Sequence, residues 1–265
     1  MDGTATPALI TLTSDFGYRD PWTACMKGVI LSIAPESRIL DLSHGIAPQN
    51  LLEGALFLAA ALPTFPAGTI HVGVVDPGVG TARKPIIARC GGQYVICPDN
   101  GLLTLLERTH PVETAVAIEN PTLMASNPSA TFHGRDIFAP AAAHLALGVP
   151  LADFGPEVGE LVKIPISEAT LDKSGQLHGE VIHVDRFGNC ITNIGRDMVP
   201  GDSDYRVQVA AATLPTILRT YGDAPPGTLM ALFGSSGQLE IAISMDSAAR
   251  TLQLDPGTPV TLYHP

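Results

Sequence analysis

Residues able to do chemistry fall at a few short stretches of the chain. Asp15 follows the apolar run ALITLT at 8–13, His44 follows RILDLS at 38–43, and Asp76 closes TIHVGVVD at 69–76. If those runs are strands of an open sheet, their ends are where a ligand binds. From Asp76 the loop DPGVGTAR (76–83) carries glycines at 78 and 80 and ends in Arg83. The glycines let a ligand approach the backbone closely. Their spacing is neither a dinucleotide fingerprint nor a phosphate loop, and a plain tight turn explains it as well. TFHGRDIF (131–138) sets His133, Arg135 and Asp136 just ahead of a helix. As structure, this reads as capping by Asp136 with Arg135 paired to a carboxylate. As chemistry, His133 is a group titrating near neutrality at a loop edge, suited to act as a base. Further on, DRFGN (185–189) groups a carboxylate, an aromatic ring and an amide. They are either simple turn residues or an ammonium partner, a stacking face and a base-reading amide. FGSSGQLEIA (233–242) places two hydroxyls between glycines, as a tight hairpin or a carboxylate-binding nest would.

These residues need elements to position them. The run at 8–13 is β-branched and apolar and reads as a buried strand opening into a loop. A helix is predicted over 21–34, with Pro21 in its first turn and Pro35 beyond its end. Strands follow at 38–43 and 69–76, with a helix at 51–62 between them. Nearly continuous apolar strands alternating with helices predict an α/β sheet covered on both faces. PIIAR and QYVICP form a hairpin pair around Gly91-Gly92, and helices are predicted at 101–108 and 137–147. Near residue 150 the pattern changes: Pro150, Pro156 and Pro165 punctuate a linker-like stretch. Beyond it, short runs at 178–185, 190–194, 205–210, 228–234 and 238–244 alternate with Gly, Pro and Asp turns, as in a small antiparallel barrel or sandwich. The expected fold is therefore an N-terminal α/β sandwich-type domain over 1–158, a linker over 159–174 and a smaller antiparallel β-barrel-like domain over 175–265.

Composition bounds the function. The chain has 265 residues, 45% hydrophobic and 15% charged, with a net charge of −11. That length supports a core burying about 70–75% of the unfolded chain's surface, and the apolar content argues against disorder. The acidic balance disfavours nucleic acid and an anionic membrane surface, and suits a cationic small molecule. Cys25, Cys90, Cys97 and Cys190 have no CxxC spacing, so reduced thiols serving as small apolar residues are expected, not a zinc framework or a disulfide scaffold. The N-terminus MDGTATPALITL has no basic stretch typical of a secretory signal. The most apolar helix candidate, 51–62, is too short to span a bilayer. A soluble, cytoplasmic protein is the expectation.

SDFG (14–17), DLSHGI, VVDPGVGTAR, PDNG (98–101), TFHGRDIFAPAAAHLA, DRFGN-ITN and GSSGQLEIA occur in this order over residues 8 to about 250. Together they resemble the S-adenosyl-L-methionine hydroxide adenosyltransferases, relatives of the fluorinases and chlorinases. The resemblance implies attack of water or hydroxide on the ribose C5′ of S-adenosylmethionine, releasing adenosine and L-methionine without a cofactor or metal. It maps a catalytic triad onto Asp76, Arg83 and His133. Arg83 would stabilise developing hydroxide, and His133 would accept the proton while Asp76 orients the water or the imidazole. It assigns Asp15 to the ribose hydroxyls, Asp185 to the methionine ammonium, Phe187 and Tyr221 to the faces of adenine, Asn189 to its edge, and Ser235 and Ser236 to the methionine carboxylate. The halogenases carry Arg at the position of Ser236, Tyr at Asp76 and a halide-contacting Ser at Gly134. An anionic Asp76 would repel a halide, which favours hydroxide. The resemblance also implies a homotrimer with shared active sites. Two readings from other classes remain: a metal-dependent hydrolase gathering Asp15, Asp76 and His133 around a divalent ion, and a non-catalytic binder of adenosine or S-adenosylmethionine.

Overall fold

The computed structural model describes residues 7–199 and 204–264; the first six residues of the N-terminal stretch considered above lie outside that range. The chain divides into two compact units between Ile164 and Pro165.

In the first unit, six strands form one sheet: β1 (Leu9–Ser14), β2 (Arg38–Ser43), β3 (Ile70–Val74), β4 (Pro85–Cys90), β5 (Gln93–Pro98) and β6 (Val112–Ala117). Their order is β2-β1-β3-β5-β4-β6. β2, β1, β3 and β5 pair in parallel, while β4 runs against both β5 and β6. Three helices accompany the sheet: α1 (Trp22–Ile33), α2 (Leu51–Ala61) and α3 (Ala139–Ala146). The strand pleat sends successive residues to opposite faces. Ile87 and Ile96 join a core with Met26, Ile30, Phe138 and Ala142 of the α1 and α3 side. Their neighbours Ile86, Ala88, Val95 and Cys97 join a second core with Leu58 and Leu62 at the α2 side. Every residue of β3 is buried, as a central strand covered on both faces must be. Gly91 and Gly92 link β4 to β5 with φ of 56° and 72°, between the paired Cys90 and Gln93. Two positive φ values in a two-residue loop match the twist of a hairpin.

The second unit contains β7 (Thr170–Leu171), β8 (Leu177–Val184), β9 (Cys190–Gly195), β10 (Arg206–Val209), β11 (Ala212–Leu214), β12 (Ile217–Leu218), β13 (Leu229–Phe233), β14 (Gln238–Ile243) and β15 (Pro259–Tyr263), with one short helix, α4 (Ala248–Leu252). The strand path is β11-β10-β15-β8-β9-β14-β13-β12, with β7 paired to β8. β11 also lies against β13, so the sheet curls back on itself in a barrel-like form around Val181, Ile194, Val207, Leu239, Ile241 and Leu262. The α/β class followed by a barrel-like β unit is the architecture expected from the pattern.

Two local expectations change. No α-helix forms at 101–108, where turns lead into a single 3₁₀ turn at Leu106–Arg108. The hydroxyls of Thr104 and Thr109 donate to the carbonyls of Gly101 and Leu106, three residues back. Such bonds compete with the helical ladder, and the backbone bonds there alternate between three- and four-residue spacing. The helix expected at 137–147 starts as a π-helical turn at Gly134–Phe138 before α3 begins. β6 and β15 had no expectation.

All four cysteines are free, and Cys90, Cys97 and Cys190 are buried. Burial raises the Cys90 and Cys190 thiols to about 11 and lifts Cys97 as well, so these are packing residues, not nucleophiles. Among the described residues, no helix is long and apolar enough to cross a membrane.

The sheet also buries a neutral imidazole. His71 of β3 has Nδ1 2.7 Å from the Thr11 hydroxyl and Nε2 2.8 Å from Gln93 Oε1, and Gln93 in turn donates to the carbonyl of Leu62 at 3.0 Å. Burial holds the His71 pKa below its ordinary value. The unfolded chain therefore binds this proton at a pH where the folded one does not. The stability tied to a neutral His71 is complete above about pH 6.5 and lost as the pH falls from there towards the depressed folded value. The melting temperature is expected to fall on acidification through this window. His71→Gln, which cannot titrate, is expected to flatten that part of the slope while lowering the melting temperature at neutral pH. Calorimetric melts of both proteins across the window check this.

Candidate active site

Asp76 lies two residues beyond the end of β3, at the carboxyl edge of the parallel strands, where α/β sheets place ligands. From it the loop turns sharply. The Val79 amide bonds the Asp76 carbonyl at 3.2 Å, and the amide and hydroxyl of Thr81 both bond the Gly78 carbonyl, at 3.1 and 2.7 Å. Gly80 has φ +79°, and a Cβ there would stand 2.7 Å from the Ala130 carbonyl oxygen. Only glycine lets the 76–83 loop press against the segment that carries His133.

That approach assembles a trio. Arg83 Nε donates to Asp76 Oδ1 at 3.0 Å and Oδ2 at 3.1 Å, and Arg83 Nη2 also donates to Oδ2. The same Nη2 donates to His133 Nδ1 at 2.6 Å. The Arg83 and Asp76 side chains are only 8% and 6% exposed, and the guanidinium carbon sits 5.5 Å from the Phe138 ring centroid. Arg83 Nη1 is buried with no hydrogen-bond partner among the described residues. A guanidinium has no lone pair to offer, so His133 Nδ1 must be the acceptor and the neutral ring carries its proton on Nε2. Burial, followed by the nearby Arg83 charge, holds the His133 pKa below the ordinary histidine value, against the pull of Asp76 and Asp136. In this arrangement one ring nitrogen of His133 is engaged by Arg83 and the other carries the ring's proton.

The Arg135–carboxylate pair expected in the 131–138 segment forms, but Asp136 caps no helix: it lies inside the π-helical turn, whose N-cap His133 makes no side-chain capping bond. Arg135 Nε and Nη2 donate to the two Asp136 oxygens at 2.6 and 2.8 Å, and the Ser129 amide donates to Asp136 at 2.9 Å. Arg135 and Asp136 hold the loop, leaving His133 for Arg83. Asp15 stands apart from the trio: its Oδ2 accepts the Gln49 amide at 2.8 Å, and no hydrogen bond joins it to Asp76, Arg83 or His133 among the described residues. Nor do three His, Cys, Asp or Glu side chains among the described residues converge as a metal site would need, so Asp15, Asp76 and His133 do not form the cation-binding set considered from sequence.

In the second unit, Asp185, Phe187, Asn189 and Tyr221 line one open cavity of about 1120 Å³, together with Met245 and Arg250. Asp185 organises its own turn, with Oδ1 accepting the Phe187 and Asn189 amides at 2.9 and 2.8 Å and Oδ2 accepting the Asn189 side-chain amide at 2.9 Å. That turn thrusts Phe187 outward, 79% exposed. Tyr221 donates its hydroxyl to Glu240 Oε2 at 2.5 Å; burial, then this carboxylate, pushes the phenol pKa upward. Glu240, buried in β14, had no expectation attached. Its signal was available as the one acid inside the apolar run QLEIAI. Ser235 and Ser236 lie outside the cavity lining, on the exposed turn between β13 and β14, closed by the Gly237 amide on the Gly234 carbonyl at 3.0 Å.

Comparison with known proteins agrees with this layout. The S-adenosyl-L-methionine hydroxide adenosyltransferase N-terminal domain profile matches residues 10–155, and the C-terminal domain profile matches residues 179–261. The chain is 43% identical over 258 residues to the (R)-S-adenosyl-L-methionine hydrolase of Thermus thermophilus, covering 94% of this chain and 97% of that one. A fluorinase from an Actinoplanes species is more distant, 29% identical over 96% of this chain and 97% of its own. A conserved protein of known crystal structure from Thermotoga maritima superposes with a TM-score of 0.90 at 35% identity, covering 96% of this chain and all of its own. The chain belongs to the S-adenosyl-L-methionine hydroxide adenosyltransferase family.

Proposed function

We propose that the protein hydrolyses S-adenosyl-L-methionine to adenosine and L-methionine by attack of a water oxygen on the ribose C5′. The observation that carries this reading is Arg83: a buried guanidinium with Nε and Nη2 fixed by Asp76 and His133 and Nη1 unpartnered. Nη1 is the donor that holds the attacking oxygen and stabilises negative charge on it. As the new C–O bond forms, the C5′–S bond breaks and its electron pair goes to sulfur, which leaves as the neutral thioether of methionine. No general acid is required. Asp76, the base beside Arg83, takes a proton from the attacking water as the C–O bond forms, so the oxygen gains hydroxide character in the transition state and adenosine is released as the neutral alcohol. His133 positions the guanidinium. We propose no cofactor and no metal, since neither the leaving group nor the proton transfer calls for one.

The other roles follow the resemblance. Asp15 takes the ribose hydroxyls, Phe187 and Tyr221 flank adenine, Asn189 reads its edge, Asp185 meets the methionine ammonium, and Ser235 and Ser236 hold the methionine carboxylate. The water-activating trio lies in the first unit and the adenine and methionine contacts in the second. This division supports a homotrimer in which copies share active sites. The free thiols support a reducing, cytoplasmic setting.

Pure protein is expected to convert S-adenosylmethionine to equimolar adenosine and methionine in the presence of a chelator, and in water enriched in heavy oxygen the label should enter the adenosine 5′ position. Mass spectrometry of the products checks this, and unlabelled adenosine or a strict need for metal would sink the reading.

Arg83→Lys is expected to lower turnover by about 10²–10³-fold, because an ammonium cannot bridge Asp76 and His133 while presenting a third fixed donor. Adenosine affinity should change far less. Asp76→Ala and His133→Ala are expected to cost comparable factors that do not multiply when combined, since one held water fails when any support is lost. Single-turnover rates across the variants and double variants measure the coupling.

The acid limb of the pH profile follows from His133. Protonating Nδ1 would set a cation against Arg83 and break the trio. Because the pKa is depressed, turnover is expected to persist below the ordinary histidine range near pH 6.5 and fall only at lower pH. A midpoint at or above that value would contradict the tautomer assigned here.

A further inference from the structure

The DLSHGI stretch is not used by the proposed chemistry, yet it contains the most elaborate buried polar cluster in the first unit. His44 and Ser14 are each about 1% exposed. Ser14 Oγ lies 2.7 Å from His44 Nδ1 and accepts the Phe16 amide at 3.3 Å. Ser14 Oγ and His44 Nδ1 share one hydrogen bond, while His44 Nε2 faces Asp41 Oδ1 at 3.2 Å without hydrogen-bond alignment. Asp41 is held in turn by Lys27 Nζ at 2.6 Å, and the Tyr18 ring packs edge-on against the imidazole with centroids 5.2 Å apart. A Ser–His–Asp chain invites a nucleophilic reading, but a sealed Ser14 reaches no substrate. Its geometry serves another end.

The cluster wraps the elbow that carries Asp15. On one side His44 bonds Ser14 through its ring. On the other, its backbone carbonyl accepts the Gly17 amide at 2.8 Å. Between these two points the chain turns through Asp15 and Phe16, and the Asp15 carboxylate has one oxygen anchored, by the Gln49 amide at 2.8 Å. The other oxygen has no partner among the described residues. We propose that His44 is a positioning residue that fixes the Asp15 elbow through Ser14, so that the free Asp15 oxygen is aimed at the ribose hydroxyls of the ligand. This inference rests on the proposed role of Asp15 in nucleoside binding and adds what holds it in place.

The two ring nitrogens allow a clean test by calorimetric titration of adenosine into the full-length protein. An asparagine amide reaches the place of Nδ1 and keeps the bond to Ser14, whereas a glutamine amide reaches the place of Nε2 beside Asp41 and loses Ser14. His44→Gln and Ser14→Ala are expected to raise the adenosine Kd about tenfold, as misdirecting a charge-assisted hydrogen bond would, while His44→Asn stays within about twofold. The KM for S-adenosylmethionine should move in the same order, with kcat changing less. Adenosine binding by both His44→Gln and Ser14→Ala at parental strength overturns the inference. So does a loss in His44→Asn equal to that in His44→Gln, or affinity losses that follow only the melting temperature, because each marks a merely structural histidine. Should His44→Gln fail to fold, Ser14→Ala removes a single hydroxyl and decides alone. A parental protein that binds no adenosine overturns the functional reading and this inference with it. Parental binding with unaltered variants overturns this inference only.

Discussion

A guanidinium cannot shed its charge, and burying one is costly unless each N–H meets an acceptor. Arg83 meets that constraint at Nε and Nη2, though not at Nη1, by gathering two loops. Asp76 neutralises it with a two-pronged contact, and His133 accepts from the same Nη2. The loops must then stay in register to within a few tenths of an ångström. β3 fixes Asp76 from within a sheet covered on both faces. Gly80 permits the close approach to Ala130, and Arg135 with Asp136 ties down the segment leading into α3. The sheet, the tight turn and the π-helical start of that helix are all parts of one solution. What the solution leaves over is Nη1, a buried donor fixed in direction before any substrate arrives, which is the form electrostatic stabilisation takes in a preorganised site.

Several stretches that carry candidate chemistry are also fixed by their own local structure. Asp185 spends its oxygens on the backbone and side chain of its own turn, and the result is an exposed ring at Phe187. Tyr221 is tethered through its hydroxyl to Glu240. In each case a local hydrogen bond restricts the side chain or its turn.

The strands and helices of the parallel sheet were legible because burial on both faces writes long apolar runs, and the Gly91-Gly92 turn was legible because few residues tolerate its backbone. The barrel-like unit was readable in outline from its turn spacing. β6 escaped notice because VETAVA begins polar and half-exposed, and β15 because it follows a Gly-Pro-rich stretch. The 101–108 segment misled because its apolar spacing suits a helix, whereas Thr104 and Thr109 divert the hydrogen bonds. The trio was found by resemblance in motifs, but the tautomer of His133 and the unpaired Nη1 are properties of angles and distances, which no spacing encodes. Glu240 and the His44–Ser14 link belong to the same class: pairs 19 and 30 residues apart in sequence that only the folded strands bring together.

The charge balance of the trio bears on its choice of reaction. S-adenosylmethionine presents a sulfonium cation, and a bare arginine beside C5′ would raise the energy of bringing that cation close. Pairing Arg83 with Asp76 and keeping His133 neutral makes the trio electrically neutral overall while leaving Nη1 as a buried donor without a partner among the described residues. A neutral nucleophile such as water loses nothing by approaching such a site, and gains stabilisation only as negative charge develops on oxygen along the reaction path. A halide is charged from the outset. It would have to give up its hydration to a pocket whose one cation is already spent on a carboxylate, with the Asp76 charge working against it. The identity of one side chain at the end of β3 thus sets the electrostatic cost for both candidate nucleophiles, and it does so by determining how much of Arg83's charge remains to be shared.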